Sequence, residues 1–295
     1  MQHIEFLHQQ HFEEKYHRKW VQQGPLARFI DFFWETDFES LYPQHPEGFS
    51  DVLFANTGYT YLINLGTPFI MQLGDEKQEL KSDGFLPRHK SLTCYHSTGN
   101  KIFGIKFKIS PLIFQKRINF SEYRYYIFPL AYLIDRTVVQ KTKEATTFAR
   151  RVDLISAYYK KIVEGNEGAL KYVDIVAQIL STAYEKNLFD VTIDAWAAQY
   201  GISTRTLQRY FEAATSISSK KALQIMRIRK AVTHLTNDPQ TFDHATYGYY
   251  DNSHFYKHLK QFLGDTYFHL ITTDRRFLQQ AANSKSAISS AEKFL

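Results

Sequence analysis

Residues 192–235 read TIDAWAAQYGISTRTLQRYFEAATSISSKKALQIMRIRKAVTHL, and this stretch decides the fold of the C-terminal part of the chain. Thr192 or Asp194 is a suitable N-cap for a short, alanine-rich helix. Gly201 suits the left-handed position at which such a helix ends. Ser203 has the side chain to cap a second helix. The stretch therefore predicts two short helices joined by a tight turn.

The second of these helices is predicted to have one buried and one exposed face. Leu207, Tyr210 and Phe211 have the i, i+3, i+4 spacing of a single apolar face. The side chains that fall outside this face are Arg205, Gln208 and Arg209. Arginine pairs bidentately with guanine and glutamine with adenine, so this face suits the major groove of DNA. The ordinary alternative is a helical hairpin with a solvated polar face.

A repeat further along the chain favours the DNA-reading interpretation. Residues 252–264, NSHFYKHLKQFLG, echo residues 203–215, STRTLQRYFEAAT. Phe255 takes the place of Leu207, and Lys257 that of Arg209. Between the two segments, residues 219–235 contain no proline and predict one long helix with lysine and arginine around an apolar stripe, which consists of Leu223, Met226, Ala231 and Leu235.

Over roughly residues 190–276 this arrangement resembles the DNA-binding domain of AraC/XylS-type transcription regulators. The residues that carry the resemblance are Ala197, Gly201, Ile202, Ser203, Thr206, Leu207, Gln208, Arg209, Tyr210, Phe211, Ile228, Arg229, Lys230, Ala231, Gly248, Tyr249, Asp251, Ser253, Phe255 and Gly264. The resemblance implies two helix-turn-helix units, with recognition helices at 203–214 and 252–263 in the major groove. It also implies that the linker helix holds them about one DNA turn apart, ~34 Å.

The resemblance further implies which side chains contact bases: Arg205, Gln208, Arg209, Asn252, Ser253, Tyr256 and Lys257. The second unit departs from the family pattern. His244 stands where a small residue is usual, Leu259 where phenylalanine is usual and Tyr267 where proline is frequent. Lys257 replaces arginine and cannot form the same planar fork. We therefore expect base specificity to come mainly from the first unit.

Composition limits the class of protein. The chain has 295 residues, a formal net charge of +6 and one cysteine, Cys94, so it has no intramolecular disulfide. Residues 191–276 hold eleven basic and seven acidic residues, a local charge of +4 that supports DNA binding only weakly. The N-terminus is polar, without a signal-peptide pattern, and no apolar run reaches membrane-spanning length. We expect a cytoplasmic protein.

The N-terminal half predicts a different architecture. Short β-branched and aromatic runs alternate with Gly- and Asn-containing turns, a pattern typical of an antiparallel β-sandwich or barrel. The predicted class is thus α+β: a β-rich sensor or dimerisation domain at 1–120, a helical connecting segment at 121–188, the DNA-binding domain at 189–276 and a flexible tail at 277–295. Residues 25–111 resemble, more loosely, the β-rich domain that accompanies this head in bacterial regulators.

An effector pocket in the β-rich domain would be lined by aromatic side chains. The candidates are Trp34, Phe54, Tyr61 and Phe107, with Tyr125 and Phe128 as further candidates. The alternative is that these rings form an ordinary core. The apolar stripe of residues 169–186 has the same two interpretations, core packing or a dimer seam.

No catalytic or cofactor motif is present in the sequence. A nucleophile elbow and a glycine-rich phosphate loop are both missing, and we predict that the chain is not an enzyme. His89, Cys94 and His96 are metal-ligand types close in sequence, but a buried cysteine between two surface histidines is the favoured interpretation. His11 and the remaining histidines are also predicted to lie at the surface, so no metal site is expected.

Two hypotheses follow. The first is a one-component transcription regulator that binds double-stranded DNA. Its further partners are RNA polymerase, a small-molecule effector and a second copy of the chain, and it has no membrane partner. The second is a small-molecule-binding or interaction protein with a degenerate head that has lost sequence-specific reading.

Overall fold

The computed structural model describes residues 1–109, 126–166, 171–238, 240–264 and Phe268. Several sequence-based expectations concern residues outside this set: the pocket candidate Tyr125, Leu170 in the 169–186 stripe, Tyr267 and the tail at 277–295. The described part of the chain consists of a sheet-rich N-terminal region followed by helices, in agreement with the predicted α+β class.

Two mostly antiparallel sheets form the N-terminal region. The strands are β1 (Gln2–Ile4), β2 (Tyr16–Trp20), β3 (Ile30–Thr36), β4 (Phe49–Leu53), β5 (Tyr59–Asn64), β6 (Phe69–Leu73), β7 (Glu76–Leu80), β8 (Gly84–Pro87), β9 (Leu92–His96), β10 (Ile102–Phe107) and β11 (Phe128–Pro129). One sheet has the order β1-β4-β9-β6-β7, and the other has the order β11-β8-β5-β10-β3-β2. Among the described pairs, only β1 with β4 is parallel.

The central strands of the six-stranded sheet, β5 and β10, are buried on both faces. One face, which includes Leu62 and Ile102, packs against Met71 and other residues of the five-stranded sheet. The opposite face includes Tyr61 and Phe107 and packs against the helices that follow. This three-layer arrangement explains why every residue of β5 and β10 is buried, including positions where alternation would place a polar residue.

Gly104 lies where β10 meets an indole ring. A Cβ atom built on Gly104 would come within 2.0 Å of the Trp34 side chain, so no larger residue fits. The strand therefore needs glycine here to let the ring lie flat against the backbone.

The helical region contains α2 (Arg136–Glu144), α3 (Phe148–Glu164), α4 (Lys171–Lys186), α5 (Ile193–Gln199), α6 (Thr204–Thr215), α7 (Ser219–Asn237) and α8 (Asn252–Leu263), and a short helix α1 (Gln9–Glu14) precedes β2. The sequence pattern over 142–163 predicts one helix, but the chain breaks between α2 and α3 because the Thr147 hydroxyl caps α3 by accepting from the Arg150 N–H at 3.2 Å. Phe128 and Pro129 form an edge strand where helix was predicted. Proline is tolerated there because it lacks the donor that an inner strand needs. None of the described helices is long and apolar enough to cross a membrane.

The N-terminal segment contains more regular structure than its polar sequence predicts. His3, His11 and His96 are each largely buried, with side chains at most 9% exposed, where the sequence predicts surface histidines. The prediction fails because the three rings surround the buried carboxylate of Asp51. Cys94 is buried, as its position in a strand suggests, and the described residues bring His89 into no metal-ligand group with it.

Candidate DNA-binding surface and adjoining cavity

The first helix-turn-helix unit is built from local capping interactions. The Thr192 hydroxyl accepts from the Ala195 N–H at 3.2 Å and begins α5. Gly201 has φ +63°, the left-handed conformation of the turn. The Ser203 hydroxyl accepts from the Thr206 N–H at 3.2 Å and begins α6. The structure confirms the predicted cap, turn and recognition helix to within one residue.

Helix α6 has the two predicted faces. Leu207 and Phe211 are fully buried, whereas Arg205 and Arg209 are exposed and Gln208 is half-buried. Neither exposed guanidinium forms an ion pair within the part of the chain that the structure describes. The buried face fixes the helix, and the two arginines stay available for an anionic partner.

Tyr210 is half-buried, with its ring centroid 5.6 Å from that of Tyr172 on α4. This residue therefore packs the first unit against the preceding helix. The sequence spacing places Tyr210 on the same apolar face as Leu207 and Phe211, but only those two are fully buried.

The second unit has a shortened first helix. In place of an α-helix, residues His244–Tyr247 form a four-residue 3₁₀ helix. It ends at Gly248 with φ +72°, and a Cβ there would lie 3.2 Å from the Asp190 side chain. The Asp251 carboxylate accepts from the His254 N–H at 2.6 Å and caps α8. The irregular first helix agrees with the unusual His244 at this position.

Helix α8 exposes fewer side chains than the resemblance implies. Ser253 and Lys257 are exposed and Asn252 is half-buried. Tyr256 is only 8% exposed because its ring packs beside Phe255, with 5.4 Å between ring centroids. Tyr256 therefore does not lie on the exposed face of α8, which corrects its assignment as a base-contacting residue.

The linker helix α7 is held by contacts along its length. The Arg227 guanidinium lies 3.7 Å from the centroid of the Tyr249 ring, and the Tyr249 hydroxyl is hydrogen-bonded to His258 Nδ1 at 2.6 Å. Burial, with the nearby Arg227, lowers the pKa of His258 to about 4. The contact joins α7 to the second recognition helix.

Two contacts join the head to the N-terminal sheets. The Arg229 guanidinium pairs with Glu5, with Nη2 2.5 Å from Oε1, and donates to the carbonyls of Phe54 at 3.2 Å and Ala55 at 3.0 Å. At the end of α6, the Ser216 hydroxyl is hydrogen-bonded to that of Tyr59. Of the cations predicted around the apolar stripe of α7, Arg227 packs on Tyr249 and Arg229 pairs with Glu5.

A cavity of about 770 Å³ lies where the sheets meet α4 and α7. Its lining includes six basic side chains, namely Arg18, Arg28, Arg88, Lys106, Lys108 and Arg229, and four acidic ones, namely Glu5, Asp31, Asp174 and Glu185. Two of the basic groups are paired directly, Arg28 with Asp174 and Arg229 with Glu5. The remaining groups leave an excess of positive charge.

The basic groups of the cavity are poorly neutralised. The Nε atoms of Arg18 and Arg88 are buried without a hydrogen-bond partner among the described residues. The guanidinium of Arg88 makes only long hydrogen bonds, 3.4 Å to Thr60 Oγ1 and 3.4 Å to the Phe54 carbonyl. Burial lowers the pKa of Lys106 to about 7. Buried cations of this kind are costly without an anionic partner.

The cavity is not lined by the aromatic residues that the sequence analysis gave as pocket candidates. Phe54, Tyr61 and Phe107 are fully buried core residues that line none of the described cavities, and Trp34 borders only a small void of about 40 Å³. The reason is that both faces of the six-stranded sheet are packed. The signal for the actual cavity is Lys106, a lysine inside an otherwise apolar strand.

Comparison with known proteins agrees with this geometry. Residues 196–267 match the family described as "Helix-turn-helix domain". No protein of curated function matches the chain by sequence. Solved structures with some likeness include ToxT from Vibrio cholerae O395, at 10% identity and a TM-score of 0.41 over 76% of this chain and 94% of that one.

Two further solved structures are similar. One is unsaturated fatty acid bound wild-type ToxT from Vibrio cholerae strain SCE256, at 8% identity and a TM-score of 0.39 over 72% of this chain and 87% of that one. The other is the AraC-like transcriptional activator CuxR, at 8% identity and a TM-score of 0.27 over 76% and 89%.

The matched segment, with its capped helices and exposed arginines, defines a helix-turn-helix DNA-binding domain. DNA binding is thereby assigned to residues 196–267 of the chain.

Proposed function

We propose that the chain reads specific DNA sequences by placing α6 and α8 in the major groove. The observation that supports this most is the state of Arg205 and Arg209. Both are exposed on a helix whose opposite face is fully buried, so the backbone that carries them is fixed while neither guanidinium has an ion-pair partner among the described residues. A guanidinium with free donors is what bidentate recognition of guanine needs.

The two units are proposed to differ in what they read. Helix α6 carries Arg205, Gln208 and Arg209 and supplies most base contacts. Helix α8 offers Lys257 as its exposed cation, with Asn252 and Ser253 near the N-terminus of the helix. A lysine is a flexible point charge, so α8 contributes more to phosphate attraction than to base discrimination.

The proposal is tested by duplex binding at rising salt. Affinity for all duplexes is expected to fall as salt rises, because phosphate contacts release counterions. A preferred sequence should keep an advantage of at least about 10³ over unrelated duplexes at physiological salt. If all duplexes instead bind equally at every salt concentration, the head is a degenerate one without sequence-specific reading.

We also propose that the cavity binds a small anionic effector. The excess positive charge supports an acid group, and its size is within the range of roughly 300–1,000 Å³ that ligand pockets occupy. Trp20, Tyr184 and Met226 add apolar wall for the rest of the molecule. Because Met226 and Arg229 belong to α7, an effector in this cavity would contact the helix that positions both recognition helices.

Lys106 gives this proposal a pH dependence. The groups that act on its charge are Glu5, Asp31, Arg88 and Arg229. With a pKa of about 7, Lys106 is charged below neutral pH and loses its charge above it. Affinity for an anion is therefore expected to fall by roughly tenfold as the pH rises from 6 to 8, the effect of one nearby charge at intermediate dielectric.

The probe for this test is anilinonaphthalene sulfonate, a fluorescent anion that does not itself titrate near neutral pH. Titrations at pH 6 and 8 are compared for the wild-type protein and Lys106→Met. The variant should bind more weakly at pH 6 and lose most of the difference between the two pH values. An unchanged pH dependence in Lys106→Met would assign the effect to other groups and contradict the role of this lysine.

A further inference from the structure

Four side chains from four separate segments meet beneath the N-terminal helix. His3 comes from β1, His11 from α1, Asp51 from β4 and His96 from β9. His3 Nδ1 lies 3.1 Å and His11 Nε2 lies 2.8 Å from Asp51 Oδ1, and His96 Nε2 lies 3.3 Å from Asp51 Oδ2. The site is separate from the DNA-binding surface and from the basic cavity.

The spacing of these atoms suits a shared metal ion. The nitrogen atoms of His3 and His11 and the oxygen of Asp51 lie within 4.8 Å of one another. Donor atoms around a tetrahedral zinc-type ion, with bonds of about 2.0–2.2 Å, are separated by roughly 3.3–3.5 Å. The distances from Asp51 Oδ1 to the two nitrogens are close to this value. The His3 and His11 rings are stacked, with 3.6 Å between centroids and 9° between planes, so one ring must turn for both nitrogens to face one ion.

His96 supplies an independent observation. Its side chain is 1% exposed, and neither ring nitrogen has a hydrogen-bond partner among the described residues. The ring nevertheless points Nε2 at the Asp51 carboxylate without hydrogen-bond geometry. Buried polar atoms are nearly always satisfied, and an unsatisfied one calls for an explanation such as an ion. The imidazole beside Asp51 is thus a second sign that this carboxylate holds an ion.

The surroundings fit a built metal site. The Tyr16 hydroxyl donates to Asp51 Oδ2 at 2.6 Å and orients the carboxylate, as outer partners of metal ligands do. Phe38 and Phe49 cover His96, with ring centroids 4.5 and 5.0 Å away. On the other side, His3 and His11 line a surface cavity of about 680 Å³, which gives an ion a path of entry.

We propose that His3, His11 and Asp51 bind one divalent transition-metal ion of the zinc type. Two imidazoles and one carboxylate are ligands that zinc prefers over calcium or magnesium. The three ligands come from β1, α1 and β4, so the ion holds the N-terminal segment to the sheet.

The N-terminal segment that carries the metal ligands also contacts the linker helix α7. Glu5, the residue after β1, pairs with Arg229 of the linker helix. Gln9 Nε2, at the start of α1, donates to Thr236 Oγ1 at 3.4 Å. An ion held by His3 and His11 fixes the segment that carries both contacts to α7.

The test is a titration of tag-free, full-length protein with Co²⁺ after treatment with a chelator. One Co²⁺ per chain is expected to bind with the visible absorption bands of a tetrahedral site, and Zn²⁺ should displace it. Zinc is also expected to raise the melting temperature. Absence of stoichiometric binding in the wild-type protein would overturn the proposal without reference to any variant.

Substitutions locate the ion. His3→Gln and His11→Gln should each weaken Co²⁺ binding by more than the roughly 10–100-fold that loss of an outer partner costs. His17→Gln is the matched control, since His17 is more than half exposed on β2. Equal Co²⁺ affinity in all three variants would show that the ion binds elsewhere, and that the cluster is a hydrogen-bonded network.

Discussion

Replacing Arg205 and Arg209 together with alanine is expected to reduce affinity for the preferred DNA sequence by at least about thirtyfold. Each base-contacting arginine contributes on the order of 1–3 kcal/mol of discrimination, and two contribute about 2–6 kcal/mol if they act independently. The helix itself should remain intact, because both side chains are exposed and its buried face is unchanged.

The comparison that decides the role of these arginines is between preferred and unrelated duplexes. Loss of base contacts weakens binding to the preferred sequence much more than binding to the others, whereas loss of phosphate contacts weakens all of them alike. The control variant Arg136→Ala/Arg150→Ala removes two exposed arginines from α2 and α3, with the same change in net charge. A uniform loss on every duplex would leave Arg205 and Arg209 with phosphate contacts only.

Arg229→Ala is expected to destabilise the protein by about 2–4 kcal/mol, toward the lower end of what breaking a buried ion pair costs. The substitution leaves the Glu5 carboxylate without its partner and frees the carbonyls of Phe54 and Ala55. The two charged side chains are only 18% and 21% exposed, so water replaces the lost contacts poorly. Urea-induced unfolding measures the change.

Two controls separate the contribution of the ion pair to stability from the effect of removing a cation from the same helix. Lys220→Ala removes an exposed cation from the same helix and should change stability by less than about 0.5 kcal/mol. Glu5→Gln combined with Arg229→Ala should destabilise less than the two single changes added together, because the pair is broken only once. Simple additivity would show that the two side chains do not interact in solution.

The pair also has a pH signature. Burial raises the pKa of Glu5, but Arg229 outweighs burial and holds it below its ordinary value of 4.5. Glu5 therefore contributes its full stabilisation above pH 4.5, and this contribution is lost as the pH falls through the lower pKa of the folded state. The difference in stability between the wild-type protein and Glu5→Gln should shrink in that acidic range.

Local chemistry made the first helix-turn-helix unit predictable. The cap residues Thr192 and Ser203 and the glycine at 201 act on neighbours within a few positions, so their roles can be inferred from spacing alone. Comparison with the family pattern identified His244 as irregular. It did not predict the 3₁₀ helix, because the energy of a short helix depends on what it packs against.

The sites in the N-terminal region depend on long-range contacts that periodicity does not encode. His3 and His96 are 93 positions apart in the sequence and meet only through the β1-β4-β9 strand order. The sequence pattern places Tyr61 and Phe107 on one face of the sheet. It does not show that the helices cover this face. The lysine at position 106, within an apolar strand, is a sequence signal of a buried charge that the prediction did not use.

The most direct measurement of sequence-specific reading is selection of bound sequences from a random pool of duplexes, with the full-length protein at near-physiological salt. A defined motif of two half-sites about one helical turn apart, with the stronger base preference in one of them, is the expected result. Recovery of no enriched motif, with binding that disappears as salt rises, would contradict sequence-specific reading by this head.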